Sequence, residues 1–285
     1  MTPGASAAPA ATTDRRAPCV SPTRVVSTVC SNTEIVHALG CSHLLVGVDD
    51  HSDWPPEVVG PLPRVGPELG VDAERVARLE PDLVLASLSV PGHERVVDSL
   101  ARRGLPCVVT DPVGLEDVFT DILHLAALLG VPSRGERLVG ELRGELSGLA
   151  RPASGGPRVL VEWWPKPVIA PGRRSWVTQM IELAGGENPL AERDVRSLPL
   201  ADSEVVALDP DAVVIAWCGV PFHRYRPEVV RRRPGWRGLR CVGPGRVHAI
   251  SEEFLGRPGP RLVEGVRQLR VVVDACRAAV DCGAP

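Results

Sequence analysis

The chain has 285 residues, 44% of them hydrophobic and 24% charged, with a formal net charge of -3. That length accommodates two ordinary domains, and the composition is that of a globular chain rather than a disordered one. The charge balance argues against a general nucleic-acid or anionic-membrane binder, and no run approaches the roughly 18 to 20 apolar residues of a membrane helix.

Met1 to Pro22 is rich in Ala, Pro and Thr, carries Arg15 and Arg16, and lacks the apolar core of a secretory signal. It reads as a flexible leader over residues 1–23. Cys19 follows Arg-Ala-Pro rather than an apolar run, which speaks against a lipid anchor. A chain without an export signal is expected in the reducing cytosol. Its eight cysteines, at 19, 30, 41, 107, 218, 241, 276 and 282, would then be mostly small buried thiols. None forms a C-x-x-C pair, so a zinc ribbon is not expected.

Arg24 to Val29 reads as the first strand of an N-terminal lobe at 24–112. Ser31-Asn-Thr-Glu34 then has the spacing of a capping box opening a helix that ends near Gly40, which puts Cys30 on the strand-to-helix turn. Leu44 to Val48 is a second strand, Asp49 to Pro56 a polar loop, and Asp72 to Leu79 a short helix. Leu83 to Ala86, helix Glu94 to Arg103 and Cys107 to Thr110 complete the lobe.

From Leu115 to Leu149 the pattern is helical, interrupted at Gly130-Val-Pro132, with Leu138, Leu142, Leu146 and Leu149 on one stripe. Residues 113–156 thus form a stiff helical connector. A second α/β lobe occupies 157–285, with strands Val159 to Trp163, Ala212 to Trp217 and Val247 to Ile250. Its helices are Trp176 to Leu183 and Arg261 to Cys276. Arg231, Arg232 and Arg233 read as a solvated face or as partners of nearby carboxylates rather than a phosphate site.

One statement is made twice: Glu74 to Ala86 and Glu204 to Ala216 each carry an apolar helical stretch, a Pro-Asp pair and a β-branched run. Proline ends each helix because it lacks an amide donor and restrains its predecessor. Two such units in one chain predict two α/β lobes with parallel sheets and a ligand cleft at the strands' carboxyl ends.

These runs, with Ser52-Asp-Trp-Pro-Pro-Glu57, Glu182-Leu-Ala-Gly-Gly-Glu-Asn188, Pro234-Gly-Trp236 and Arg257-Pro-Gly-Pro-Arg261, resemble the helical-backbone substrate-binding proteins of metal-chelate ABC importers. The vitamin B12-binding type is the nearest match, over roughly residues 24 to 275. The resemblance implies two Rossmann-like lobes joined by a long backbone helix, a monomer with no catalytic reaction, and a cleft for cobalamin, haem or an iron-siderophore. Members usually work outside the membrane. It also implies a cleft lined by Cys30, His51, Trp54, Trp163, Trp164, Cys218, Glu253 and Arg257. An ABC permease would be met through one carboxylate on each lobe. Glu74, seven residues before Pro81, matches the first. Glu204 stands six before Pro210, so Ser203 takes the second matching position.

Cys30, His51 and Cys218 all follow strands and offer soft sulfur and imidazole ligands for cobalt, haem iron, copper(I) or zinc. Cys30 at a helix amino terminus is expected to favour the thiolate, and His51 suits the axial position of a corrinoid or haem. The bland alternatives are that Cys30 packs under the capping box and His51 bonds a loop carbonyl. Trp54 and Trp163 are placed at the cleft, Trp176 and Trp236 in the core. Glu253 and Arg257 would meet corrin amides or a haem propionate, or else form structural salt bridges. An enzyme that processes a corrinoid or handles metal is the reading of another class, with a thiolate beside His51 as nucleophile. No phosphate loop or Gly-x-Ser-x-Gly elbow accompanies it.

Overall fold

The computed structural model describes residues 21–151 and 155–281, side chains at 279–281 excepted. The leader up to residue 20, with Cys19, and Cys282 lie outside the described residues.

The N-terminal lobe is built from β1 (Val25–Ser27), α1 (Cys30–Ala38), β2 (Leu45–Val48), α2 (Pro56–Val59), α3 (Ala73–Arg78), β3 (Leu83–Ser87), α4 (His93–Arg102) and β4 (Cys107–Thr110). Its four strands pair in parallel in the order β2-β1-β3-β4, with Val25 opposite Leu83 and Ser27 opposite Leu85. All residues of β1 and β3 are buried, as expected of strands covered by helices on both faces.

Two helices follow, α5 (Leu115–Leu128) and α6 (Pro132–Leu149), broken where the Gly-Val-Pro interruption predicted. They fold back on each other as a hairpin. A Cβ on Gly135 of α6 would lie 2.4 Å from the Cβ of Ala126 on α5, so glycine permits this close approach. The helix that joins the lobes is α6, about 27 Å long at 1.5 Å per residue. Near its start Arg134 donates to the carbonyls of Leu39 and Gly40 in the N-terminal lobe. At its far end the Arg151 amide donates to the Leu183 carbonyl in the second lobe.

The C-terminal lobe contains β5 (Val159–Glu162), β6 (Trp164–Pro165), β7 (Val168–Pro171), α7 (Trp176–Leu183), β8 (Ser197–Leu200), α8 (Asp202–Leu208), β9 (Ala212–Ile215), α9 (Pro227–Arg231), β10 (Val247–Ala249), α10 (Glu252–Leu255) and α11 (Leu262–Asp281). Strands β10-β9-β5 form the expected parallel sheet. Beside it stands a small antiparallel sheet, β6-β7-β8, that the sequence pattern did not reveal. Prolines hide it: Pro171 closes β7, and Pro199 sits in β8, which tolerates a missing donor because it is an edge strand.

A single hydrophobic core crosses both lobes. It runs from Val25, Ile35 and Leu85 through Val118, Ile122 and Leu125 of α5 and Val139, Leu142 and Leu146 of α6 to Met180, Leu269 and Val273. Each fully buried aliphatic side chain contributes about 1.5–3 kcal/mol. The lobes therefore share their packing rather than hang on a flexible linker.

The repeated sequence unit is a repeated structure. In each copy the residue before proline adopts a left-handed backbone, Glu80 at φ 46° and Asp209 at φ 40°. The aspartate after proline then locks the first strand of its lobe. The Asp82 carboxylate accepts from the Thr23 amide at 2.8 Å and the Arg24 amide at 2.9 Å, and Asp211 accepts from the Arg158 amide at 2.8 Å. The returning amides of Asp82 and Asp211 donate to the carbonyls of Arg24 and Arg158. Slight burial opposes the Asp82 charge, but these donors hold its carboxyl below the usual range. Asp82→Ala should cost about 1 kcal/mol. The folded-state pKa is depressed, so this contribution is present above the ordinary carboxylate pKa and lost as pH falls through the folded value. Urea unfolding at pH 7 and pH 3 checks both the loss and its shrinkage in acid.

One local expectation fails. Ser31 and Glu34 do not cap α1: the helix starts at Cys30 with Val29 as the preceding residue, no side chain caps it, and both residues are buried within it. Glu34 is drawn instead to arginines of the other lobe, which satisfy a buried carboxylate better than a surface-type capping box does.

Candidate functional site

Strands of both parallel sheets end toward a cleft between the lobes. Leu88, Ser89, Val90 and Pro91 follow β3 and Asp111 follows β4. Trp163 and Trp164 follow β5, Cys218 follows β9, and Gly256 lies beyond β10. Together with Leu69, Ile169, Trp176 and four charged side chains, Glu94, Arg174, Arg196 and Asp111, they enclose about 640 Å³. That is the size and apolar character of a small-molecule cleft. Trp163 is half-buried, with an indole N–H that has no partner, and lies 6.4 Å from Trp176. Trp164 is 42% exposed. Two flat rings on adjacent residues thus line the C-terminal wall.

Polar ties between the lobes bracket this cleft. On one side Arg196 pairs with Asp111 at 2.7 Å and donates to the Leu88 carbonyl at 3.3 Å. On the other, buried Arg257 pairs with Glu34 at 2.9 Å, with Asp53 at 2.6 Å and with Glu252 at 3.5 Å. Arg261 adds contacts to Glu34 at 3.3 Å and to Glu253 at 2.9 Å. Burial works against the Arg257 charge, which the Asp53, Glu252 and Glu34 carboxylates help to stabilise. Burial dominates at Glu34 and raises its pKa to about 7, although Arg257 and Arg261 pull it down. Asp53 goes the other way: its burial cost is outweighed by the Arg257 hydrogen bonds and charge.

The structure brings together some of the sequence-derived site residues and separates others. Trp163, Trp164 and Cys218 line the cavity. Cys30, His51, Trp54, Glu253 and Arg257 are not among its lining residues. Trp54 packs edge-on against His37 at 4.9 Å and lies under the Arg261 guanidinium at 4.9 Å. Glu253 and Arg257 are engaged in the salt bridges above. His51 is exposed on its loop, where its amide donates to Asp49 at 2.8 Å.

Cys30 is buried, and loss of solvent pushes its thiol well above the ordinary range despite its place at the start of α1. The expected thiolate is therefore not favoured: desolvation outweighs the helix dipole. Water reaches Cys218, yet the cleft walls and the Glu252 and Glu68 carboxylates keep it protonated too. Among the described residues no three His, Cys, Asp or Glu side chains are grouped to hold a metal ion. Four of the six described cysteines, Cys30, Cys41, Cys241 and Cys276, are buried free thiols.

Of the remaining tryptophans, Trp176 and Trp236 are core residues as expected, with indole N–H bonds to the Leu255 carbonyl at 2.7 Å and to Asp202 at 2.8 Å. Arg233 is the partner of a carboxylate, as the sequence reading allowed: it forks onto buried Glu162 at 2.6 and 2.8 Å. Sequence reasoning missed the segment 88–91, Asp111, Arg174 and Arg196. The first two stand at strand ends and were open to the strand-end rule; the arginines flank the antiparallel sheet that was not foreseen.

A family model described as periplasmic binding protein matches residues 25–253. The chain belongs to the periplasmic binding protein family. Members of this family are substrate-binding proteins of ABC transporters, not enzymes, which sets the corrinoid-processing enzyme reading aside. The chain is 29% identical over 256 residues to the uncharacterized ABC transporter substrate-binding lipoprotein YvrC of Bacillus subtilis, spanning 87% of this chain and 79% of the relative. It is 27% identical over 252 residues to a vitamin B12-binding protein of Pectobacterium carotovorum, spanning 87% of each. Among solved structures, the periplasmic heme-binding protein RhuT from Roseiflexus in apo form aligns with a TM-score of 0.76 at 29% identity, covering 89% of this chain and 98% of that one. As in other periplasmic binding proteins, two α/β lobes face each other across a cleft, and no described helix is long and apolar enough to cross a membrane.

Proposed function

We propose that this periplasmic binding protein captures a metal-centred tetrapyrrole, cobalamin in the first place, between its lobes and presents it to an ABC permease. The observation that carries the reading is the cleft of about 640 Å³ with the adjacent indoles of Trp163 and Trp164 on one wall. Flat rings suit the face or edge of a macrocycle, and apolar contact supplies most of the affinity. Relatives of similar identity named for vitamin B12 and for heme support the ligand class.

Haem is the second reading, favoured by one observation. Arg174 lines the cleft with no ion pair among the described residues, a ready partner for a propionate. Exposed His51, which follows β2 of the N-terminal lobe, is the proposed axial ligand for either metal centre. Permease contact is proposed through Glu74, which is exposed on α3 and paired with Arg103. Glu204 is the weaker second point, because it stands six residues before Pro210 whereas Glu74 stands seven before Pro81.

Visible-absorbance titration of the purified, reduced protein with aquocobalamin, haemin and a ferric hydroxamate tests the ligand class. Saturable one-to-one binding of a tetrapyrrole, weakened at least about tenfold by Trp163→Ala, is expected. A changed spectral endpoint in His51→Ala would establish axial ligation. Saturation by the hydroxamate alone would overturn the tetrapyrrole reading.

A further inference from the structure

Two sets of ion pairs join the lobes, and they differ in how much water reaches them. Arg257 is 7% exposed and its partner Glu34 is 1% exposed. The chain beside them is closely packed: a Cβ on Gly259 would lie 3.6 Å from the Ser31 carbonyl oxygen and 3.9 Å from Cγ1 of Ile35. Ile35, Leu255 and Leu262 belong to one hydrophobic core. The Arg257–Glu34 contact is therefore dry whether or not the cleft is filled.

The other set stands in the cleft wall itself. Arg196 directly precedes β8, Asp111 directly follows β4 and Leu88 directly follows β3, and all three line the cavity. The Arg196 Nη1 lies 2.7 Å from Asp111 Oδ1 and donates to the Leu88 carbonyl at 3.3 Å. Strands β3 and β4 are paired neighbours, so one side chain of the C-terminal lobe holds the ends of two adjacent strands of the N-terminal lobe. Arg196 and Asp111 are 34% and 45% exposed. Leu69, Leu88, Val90 and Ile169 of the same cavity lie outside the hydrophobic cores, so close packing of these side chains does not set the spacing of the walls.

An ion pair in contact with water contributes little, because solvent screens it. A ligand in the cavity displaces that water, and the attraction between the charges rises as the effective dielectric falls. Loss of hydration opposes this; the short charge-assisted contact to Asp111 and the second acceptor at Leu88 offset it. By linkage, a ligand that strengthens the pair is itself bound more tightly when the pair is intact. The difference falls mainly on the dissociation rate.

We infer that Arg196 is a positioning residue of the cleft: it clasps the ends of β3 and β4 to the C-terminal wall, and a ligand that fills the cleft tightens the clasp and is retained by it. The inference rests on the reading of this cleft as the ligand site and holds for any chelate that fills it.

Stopped-flow absorbance with aquocobalamin, haemin and a ferric hydroxamate as separate probes tests this on wild type, Arg196→Gln, Asp111→Asn and the double variant, with a retained thermal transition showing that each folds. Each probe that saturates wild type should leave either single variant at least about fivefold faster, while association changes less than about twofold. The double variant should release it no faster than Arg196→Gln alone, because both substitutions break one contact. Thermal melts of the four proteins add a readout that a merely structural role would not move: the coupling between the two positions should be larger with ligand than without. Release at the wild-type rate from a folded Arg196→Gln, losses that multiply in the double variant, or equal coupling with and without ligand would each overturn the inference and leave the ligand site standing. If Arg196→Gln does not fold, release from Asp111→Asn decides in the same way. Binding of the hydroxamate alone would overturn the tetrapyrrole reading but not the clasp, which its release rate then tests. Failure of wild type to bind any of the three probes overturns both.

Discussion

Glu162→Ala should destabilise the protein by about 3–5 kcal/mol, read by urea unfolding at pH 7, because it strands a cation in the C-terminal lobe. Glu162 ends β5 and is 0% exposed. Both its oxygens are engaged by the Arg233 fork, and Oε1 also accepts from the Trp217 indole at 2.8 Å. Arg233 has 12% of its side chain exposed and lies over the Trp236 ring at 4.5 Å, so it cannot swing into water without losing that packing. The cost of the single variant is mainly the cost of the charge left behind. The double variant Glu162→Leu with Arg233→Met should therefore recover most of the loss, since two apolar side chains remove both charges at once. If the double variant were as unstable as the single one, the loss would come from packing around β5 rather than from the unpaired arginine. Glu162 directly precedes Trp163 and Trp164, so ligand affinity should fall together with stability.

Arg257→Met should produce the second large effect, about 3 kcal/mol at pH 8, and the effect should depend on pH in a set direction. The substitution removes the cation that joins Glu34 and Asp53 of one lobe to Glu252 of the other. Glu34 is raised to about 7 even with Arg257 present, burial being the larger influence. Without the guanidinium its folded-state pKa climbs further. A carboxyl with a raised folded pKa contributes full stability below its unfolded pKa and loses it as pH rises through the folded value. Asp53 is held low by Arg257, so its contribution above the ordinary carboxylate pKa also disappears in the variant. Both groups make the deficit grow from pH 4 to pH 8. Thermal melts of wild type and Arg257→Met across that range check the sign; a deficit independent of pH would mean that Arg257 acts through packing alone. Because the same side chain ties the lobes, the variant should also bind ligand more weakly.

Much of this architecture was legible in local chemistry. Helix Trp176–Leu183 and strand Cys107–Thr110 have the bounds that periodicity and glycine stops gave them. The Pro-Asp units foretold two lobes, and the structure adds why: each aspartate returns to lock the first strand of its sheet. What stayed hidden depended on contacts far apart in the chain. Ser31 and Glu34 have the spacing of a cap, yet Glu34 is claimed by Arg257, 223 residues away. Cys30 has the helix position of a reactive thiol, yet burial overrides the dipole. Arg174 and Arg196 flank strands whose prolines disguise them. The wall formed by Trp163 and Trp164 was readable because it follows a β-branched strand; the ion pairs that fix the lobes around it were not.

The most direct test of the account is a crystal structure of the protein grown with aquocobalamin. The account predicts corrin density between the segment 88–91 with Leu69 on one side and Trp163, Trp164 and Cys218 on the other. Corrinoid bound on another face, with this cleft filled only by solvent, would contradict it.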